Sequence, residues 1–209
     1  MNNLLNYEGP VIRFISKIVY SVWLNILWFI CCIPIFTIGP ATIALFYCTN
    51  KMAIDEESYL TRSFFRAFLD NFKQGALVGI PATVIGVALG VDAYLLNHLH
   101  NTSRFWTLVF AVFIVAAIAY ILILSWMFPL LAHYENTIIN TLKNAIVLSV
   151  RFILCSAMML AVYFFMLVIV IRIFTPAIIF GMGTCAFINS TLLKNIFIMC
   201  ENSNENNEE

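Results

Sequence analysis

Long apolar runs separated by short polar stretches organise this sequence. About 20 apolar residues are needed for a helix to cross the hydrocarbon core of a bilayer, so runs of this length are typical of membrane spans. The pattern predicts six membrane helices, at Ile15–Cys32, Pro40–Asp55, Gly75–Leu96 and Phe105–Phe128, then one ending near Ile171 and one beginning at Thr175-Pro176. The chain is therefore predicted to be all-α, a polytopic transmembrane helix bundle.

Two shorter segments show the three-to-four-residue spacing of amphipathic helices. In Tyr59–Lys73 the aromatic residues lie on one stripe and charged residues surround it; Asn136–Asn144 is a shorter example. Both are expected to lie at the cytoplasmic membrane surface. The first is the predicted cytoplasmic surface helix, with Phe64, Phe65, Arg66, Phe68, Phe72 and Lys73 as its principal residues.

Composition agrees with a membrane protein. The 209 residues are 62% hydrophobic and only 11% charged, whereas about 25% of residues are charged in soluble domains. Residues 1–200 are predicted to form a single transmembrane domain. Residues 201–209 contain only Asn, Glu and Ser, which predicts a disordered acidic cytoplasmic tail. The formal net charge is zero, so nothing indicates binding to nucleic acid.

The distribution of basic residues bears on the number of passes. If residues 40–55 cross, both termini share a side that carries nine lysines and arginines, and the other side carries only Arg104 and Arg172. If they do not cross, there are five passes, and the best split is seven to four. Basic residues are enriched on the cytoplasmic side, so the first arrangement is favoured, with both termini cytoplasmic.

Small residues form a stripe on the third predicted span. Gly75, Gly79, Gly86 and Gly90 fall within about 60° of each other at 100° per residue, and Ala82 lies beside them. Such a stripe lets another backbone approach closely, which is how helices associate in lipid. It therefore predicts a helix-packing or partner interface, and the second helix could belong to this chain or to another protein.

Catalytic and metal-binding patterns are missing from the sequence. There is no nucleophile elbow, zinc-protease motif or phosphate-binding glycine loop, and the intramembrane carboxylate Asp92 stands alone. Arg172 is expected at the same level as Asp92 and could form an ion pair with it. We therefore predict a protein that is not an enzyme and that has no cofactor and no metal site.

One stretch is specific enough to resemble a known family. It reads Trp-Leu-Asn-Ile-Leu-Trp at residues 23–28 and Pro-Ile-Phe-Thr-Ile-Gly-Pro-Ala at residues 34–41, and it continues to Gln74. This stretch resembles the YesL family, small bacterial membrane proteins known as a domain of unknown function. The resemblance covers the whole chain by length and span order, but its specific part is residues 23–74. The matching motif positions are Asn25, Trp28, Pro34, Thr37, Gly39, Pro40 and Ala41.

The resemblance carries functional expectations. It implies a bacterial plasma membrane and an accessory role in oligosaccharide uptake by an importer of the ATP-binding cassette type. The partners would be the lipid bilayer and permease subunits of that importer, and no catalytic residues are carried over. Two alternatives stay open: a stand-alone small-solute transporter, and a membrane assembly or lipid-handling factor with no link to sugars.

Overall fold

The apolar runs fold into helices, because backbone polar groups in lipid must be satisfied within the chain. The computed structural model describes residues 10–56, 59–99, 104–134, 136–173 and 178–208. These residues form eight α-helices and no strand: α1 (Pro10–Cys31), α2 (Ile38–Ala53), α3 (Leu60–Asp70), α4 (Phe72–Leu99), α5 (Arg104–His133), α6 (Ile138–Arg151), α7 (Ile153–Val168) and α8 (Ile178–Glu208). A 3₁₀ turn at Ile35–Thr37 precedes α2, and a π-helical turn at Ile169–Ile173 follows α7. The predicted all-α membrane bundle is confirmed.

Four helices in the described part of the chain are long and apolar enough to cross a membrane. They contain the segments Phe72–Leu96, Phe105–His133, Ile153–Arg172 and Gly181–Cys200. The apolar part of α1, Ile15–Cys31, is shorter, and α2 has only 16 residues. The described parts of the six predicted membrane segments are thus largely helical, and four of the segments reach spanning length.

Helix α2 lies at the centre of the bundle. It packs against α1, α3, α4, α5 and α8, and all of Gly39–Phe46 is buried. A helix that is apolar on every side is typically enclosed by other helices. The core around it is completed by Leu24, Phe64, Trp126, Met159 and Leu193, all fully buried.

The outer faces of α4, α5 and α7 carry exposed apolar side chains. Val84, Leu108 and Phe164 are each more than 60% exposed. Exposed apolar residues at this density would be unfavourable in water, and they fit helices that contact lipid acyl chains.

The predicted surface helix ends earlier than expected. Helix α3 stops at Asp70, and Phe72 and Lys73 belong to the first turn of α4, which begins before Gly75. The break falls at Asn71, whose side-chain Nδ2 donates to the carbonyl of Ala67 at 3.0 Å. This bond satisfies a carbonyl at the end of α3, as asparagine often does at helix termini.

The second amphipathic helix is longer than predicted. Helix α6 runs from Ile138 to Arg151, and the following span begins only at Ile153. The corner between them is held by Trp126 of α5. Its Nε1 donates to Ser156 Oγ at 2.8 Å, and its ring stacks on Phe152 at 6.3 Å. The sequence pattern did not reveal this corner, because it depends on a residue from another helix.

Two further predictions differ from the structure. The backbone of residues 201–208 continues α8 as helix instead of forming a disordered tail, since extending an existing helix needs only one new bond per residue. Asp92 and Arg172 are both exposed and form no ion pair with each other. The predicted start of the last span at Thr175-Pro176 lies outside the described residues.

Candidate functional site

Helices α2 and α4 cross at glycine residues with their backbones in contact. A Cβ added to Gly79 would lie 2.6 Å from the Cα of Gly39, and one added to Gly75 would lie 2.7 Å from the Cα of Pro40. Separations under 3.0 Å are too short for real Cβ atoms. The structure thus places two glycines of the predicted stripe against Gly39 and Pro40, within the same chain.

The other two glycines of the stripe have different surroundings. A Cβ on Gly86 would meet the side chain of Tyr120 at 3.3 Å, whereas one on Gly90 would meet nothing within 4 Å. The single stripe of four glycines therefore divides into three parts. Gly75 and Gly79 make the backbone contact with α2, Gly86 faces α5, and Gly90 faces open space.

The motif positions that resemble the YesL family lie around the junction between α1 and α2. Asn25 is fully buried, and its Oδ1 accepts a hydrogen bond from the Gly183 amide at 2.9 Å. Trp28 Nε1 donates to Thr42 Oγ1 at 3.1 Å, and Thr37 Oγ1 donates to the Cys31 carbonyl. Ala41 is fully buried, and Pro34 is exposed before the 3₁₀ turn. The motif thus fixes the geometry of the core.

An apolar cavity of about 570 Å³ lies beside the glycine crossing. Small residues of α4 form one wall, because Gly79, Ala82 and Gly86 place no large side chains there. Its other walls include Trp28, Thr42, Phe46, Tyr120, Leu124, Ser125, Phe128 and Tyr163. We refer to it as the apolar cavity.

The polar groups lining the apolar cavity already bond to the protein. Thr83 Oγ1 donates to the Gly79 carbonyl and Ser125 Oγ to the Leu122 carbonyl, both at 2.8 Å. The Tyr120 hydroxyl donates to the Ala82 carbonyl. A sugar needs many hydrogen-bond partners, and this wall offers few that are uncommitted.

Helix α3 packs on the protein through the face that was expected to enter the membrane surface. Phe64 is fully buried against α2, and Leu60 and Ala67 are also buried. Phe65 is 44% exposed, and Phe68 is only partly buried. Arg66 is exposed and lies near Asp70, with 3.6 Å between Nε and Oδ2. The stripe is therefore shared between the core and the outer surface.

A polar groove of about 880 Å³ runs between α3 and the α5–α6 connection. Gln74 and Asn136 both line it, and Gln74 Nε2 donates to the Asn136 carbonyl at 2.7 Å. The polar residues along it include Lys51, Ser63, Arg66, Asp70, Asn71, Gln74, His133, Asn136 and Thr137. We refer to it as the polar groove. It is large enough to receive a short helix or loop of another protein.

An ion pair ties the start of α1 to the end of α2. Lys17 Nζ donates to Asp55 Oδ1 at 2.6 Å, and this hydrogen bond and the ammonium charge lower the pKa of Asp55. Asp55 has a left-handed backbone with φ of 63°, which is uncommon outside glycine. The pair therefore holds the turn that leads from α2 to α3.

The structure also shows contacts that the sequence did not single out. A Cβ on Gly183 would lie 2.9 Å from the Cβ of Asn25, so α8 and α1 also meet at a glycine. The short spacing of Gly181 and Gly183 was an available signal. Among the described residues, no three His, Cys, Asp or Glu side chains lie close enough together to hold a metal ion.

These features define a multi-pass α-helical membrane protein with a glycine-packed core. A family model described as "Protein of unknown function, DUF624" matches residues 21–93, which contain the α1–α2 junction, α3 and most of α4. The chain is similar to the uncharacterized protein YteU of Bacillus subtilis (strain 168), with 27% identity over 160 residues, or 73% of this chain and 69% of YteU. No solved structure matches the chain.

Proposed function

We propose that this protein is a non-catalytic accessory component of oligosaccharide uptake by an ATP-binding cassette importer. It would lie in the bacterial plasma membrane with both termini in the cytoplasm. The observation that carries the proposal is the polar groove, which is bordered by an amphipathic helix and lies at the charged end of the bundle. The sugar link rests on the resemblance to the YesL family at residues 23–74, within the segment that matches DUF624.

The groove suits a partner that presents a short helix. Permeases of this importer class pass force to their ATPases through short cytoplasmic helices between spans. An amphipathic helix can lie in a groove that offers an apolar floor and a polar rim. Here Ala67, Leu131 and Ala132 supply buried apolar surface, while Arg66 and Asp70 supply charges at the rim.

The apolar cavity argues against the stand-alone transporter. A solute pathway needs polar groups that exchange water for solute. The hydroxyls of Thr83, Tyr120 and Ser125 are instead bonded to the backbone of their own bundle. This favours a protein that supports an importer over one that conducts the sugar itself.

The test is oligosaccharide uptake in a host strain that lacks the gene. We expect uptake to fall on deletion and to be restored by the wild-type chain. The double variant Arg66→Glu, Asp70→Lys reverses the charges at the groove rim but keeps the pair, and it should fail to restore uptake. Arg62→Glu changes an exposed charge of α3 outside the groove and serves as the matched control.

Two results would contradict the proposal. One is normal oligosaccharide uptake in the deletion strain. The other is equal restoration by the groove double variant and by Arg62→Glu, at equal protein levels in the membrane. Uptake of a monosaccharide by an unrelated route should stay unchanged throughout, which controls for general damage to the membrane.

A further inference from the structure

Helix α8 carries a positive charge inside an apolar segment. Lys194 lies within Gly181–Cys200, which is apolar enough to span a membrane and contains no other charged residue. Its Nζ donates to the Ala53 carbonyl at the end of α2, at 3.2 Å. Lys194 lies towards the predicted cytoplasmic end of this segment, on the side that holds nine basic residues, and an ionisable residue within an apolar segment is a candidate functional residue.

A second lysine lies on the same pocket. Lys51 of α2 and Lys194 both line a space of about 330 Å³ between α2, α5 and α8. Lys51 Nζ lies 5.0 Å from the ring centre of Tyr47. Among the described residues, the ion pairs join Lys17 to Asp55 and Arg66 to Asp70. No described carboxylate lies within ion-pair distance of Lys51 or Lys194, although the charge of Lys194 helps to lower the pKa of Asp55.

A buried amide adds an unused hydrogen-bond donor. Asn50 also lines this pocket, and its Nδ2 is buried without any hydrogen-bond partner. Leaving such a group unpaired is unfavourable, so buried amides nearly always have a partner. Two ammonium groups and an unpaired amide thus lie around one small space.

Among the described residues that line the pocket, Lys51 and Lys194 carry two positive charges and Glu56 carries one negative charge, so the formal balance is positive. Glu56 lines it but is exposed and forms no ion pair with either lysine. Asp55 is already bonded to Lys17. His133 stacks on Phe197 with ring centres 4.4 Å apart, so its ring forms part of the wall.

We propose that this pocket binds a phosphate group through Lys51, Lys194 and Asn50. A phosphate carries several acceptor oxygens and can bond to donors from more than one helix at once. Basic pockets between membrane helices commonly bind lipid headgroups. The rim also contains Ile54 and Ile198, which are 46% and 45% exposed and could contact acyl chains. The phosphate would come from a phospholipid headgroup or from a soluble phosphate.

Thermal unfolding of the full-length protein in neutral detergent tests this site. Three compounds are titrated: inorganic phosphate, short-chain phosphatidylglycerol, and a diacylglycerol with the same acyl chains. A ligand that binds only the folded state raises the unfolding temperature, and the rise grows with the logarithm of the ligand concentration once this exceeds the dissociation constant. Stabilisation by phosphatidylglycerol alone would identify a lipid headgroup, and stabilisation by inorganic phosphate as well would identify a soluble source.

Charge-removing variants assign the binding to the pocket. Lys51→Gln and Lys194→Gln should each weaken the apparent affinity roughly tenfold, because each removes a charge-assisted hydrogen bond. Lys73→Gln removes an exposed lysine outside the pocket and should bind as the wild type. Lys51→Gln is informative even if Lys194→Gln fails to fold, because Lys51 bonds to no backbone carbonyl in the described structure.

Two results would overturn the proposal. The first is that neither phosphate compound stabilises the wild type more than diacylglycerol does. The second is that Lys51→Gln binds both compounds as tightly as Lys73→Gln. The proposal is independent of the importer assignment, because its readout requires neither sugar nor partner.

Discussion

Helices α2 and α4 cross at Gly39 and Gly79. A Cβ on either residue would overlap the Cα of the other. A side chain there meets backbone, which cannot rotate away as a side chain can. Close approach of this kind maximises van der Waals contact between helices in lipid, where the hydrophobic effect does not drive association. The structural role of this pair is therefore specific to glycine.

Replacing Gly79 by leucine is expected to lower stability by about 1–3 kcal/mol, because the two helices must separate. The measurement is the thermal unfolding midpoint of purified protein in detergent. Gly90→Leu is the matched control on the same helix, since a Cβ there meets nothing within 4 Å. Equal midpoints for the two variants would show that the crossing does not hold the fold together.

The Lys17–Asp55 pair predicts a dependence of stability on pH. The pKa of Asp55 is lower in the folded protein than its ordinary value, so the contribution is complete at neutral pH and lost as the pH falls through the folded pKa. Asp55→Asn should therefore be less stable than the wild type at pH 7, and the difference should disappear in acid. Asp70→Asn, which breaks an exposed surface pair, should change little at either pH. The same deficit for Asp55→Asn at both pH values would contradict this account.

Helix α3 has two apolar faces with different surroundings. Phe64 is fully buried against α2, whereas Phe65, the next residue, is 44% exposed. Phe64→Ala is expected to lower the free energy of unfolding by about 3–5 kcal/mol, as for other buried phenylalanines. Phe65→Ala should cost clearly less. Denaturant unfolding in detergent compares the two, and equal losses would mean that α3 does not dock as described.

The sequence predicts which segments form helices better than it predicts the residues at which those helices end. The long apolar runs identify the spanning helices, and the three-to-four-residue spacing of aromatic positions among charged ones locates α3 to within a few residues. The end of α6 depends on Trp126 reaching Phe152 and Ser156 from another helix. No local pattern contains that information, so the prediction ended the amphipathic segment too early.

At the scale of the whole molecule, the candidate sites were only partly predictable. The stripe at Gly75 and Gly79 indicated close packing, but its partner, Gly39, lies in the motif that resembles the YesL family. The apolar cavity, the polar groove and the pocket at Lys51 and Lys194 each combine residues from three or more helices. Such combinations depend on how the helices pack, which hydropathy and spacing do not determine.

The orientation of the whole bundle rests on the distribution of positive charge. The nine-to-two split of basic residues predicts that both termini are cytoplasmic. Reporter fusions after Glu209 and within the loop at Asn101 check this, because an activity that requires the cytoplasm should appear only in the first fusion. An external signal from the fusion at Glu209 would exclude the six-pass arrangement.

The accessory role is tested most directly by photo-crosslinking from the polar groove in living cells. A photoreactive amino acid replaces Arg66 in one strain and Arg62 in another, so that the probes lie one turn apart on α3 and only the first lines the groove. Crosslinked products are then identified by mass spectrometry during growth on oligosaccharide. The account predicts a crosslink from position 66, but not from position 62, to a permease or ATPase subunit of an ATP-binding cassette sugar importer. If position 66 crosslinks only to lipid, or to the same proteins as position 62, the proposed docking role is contradicted.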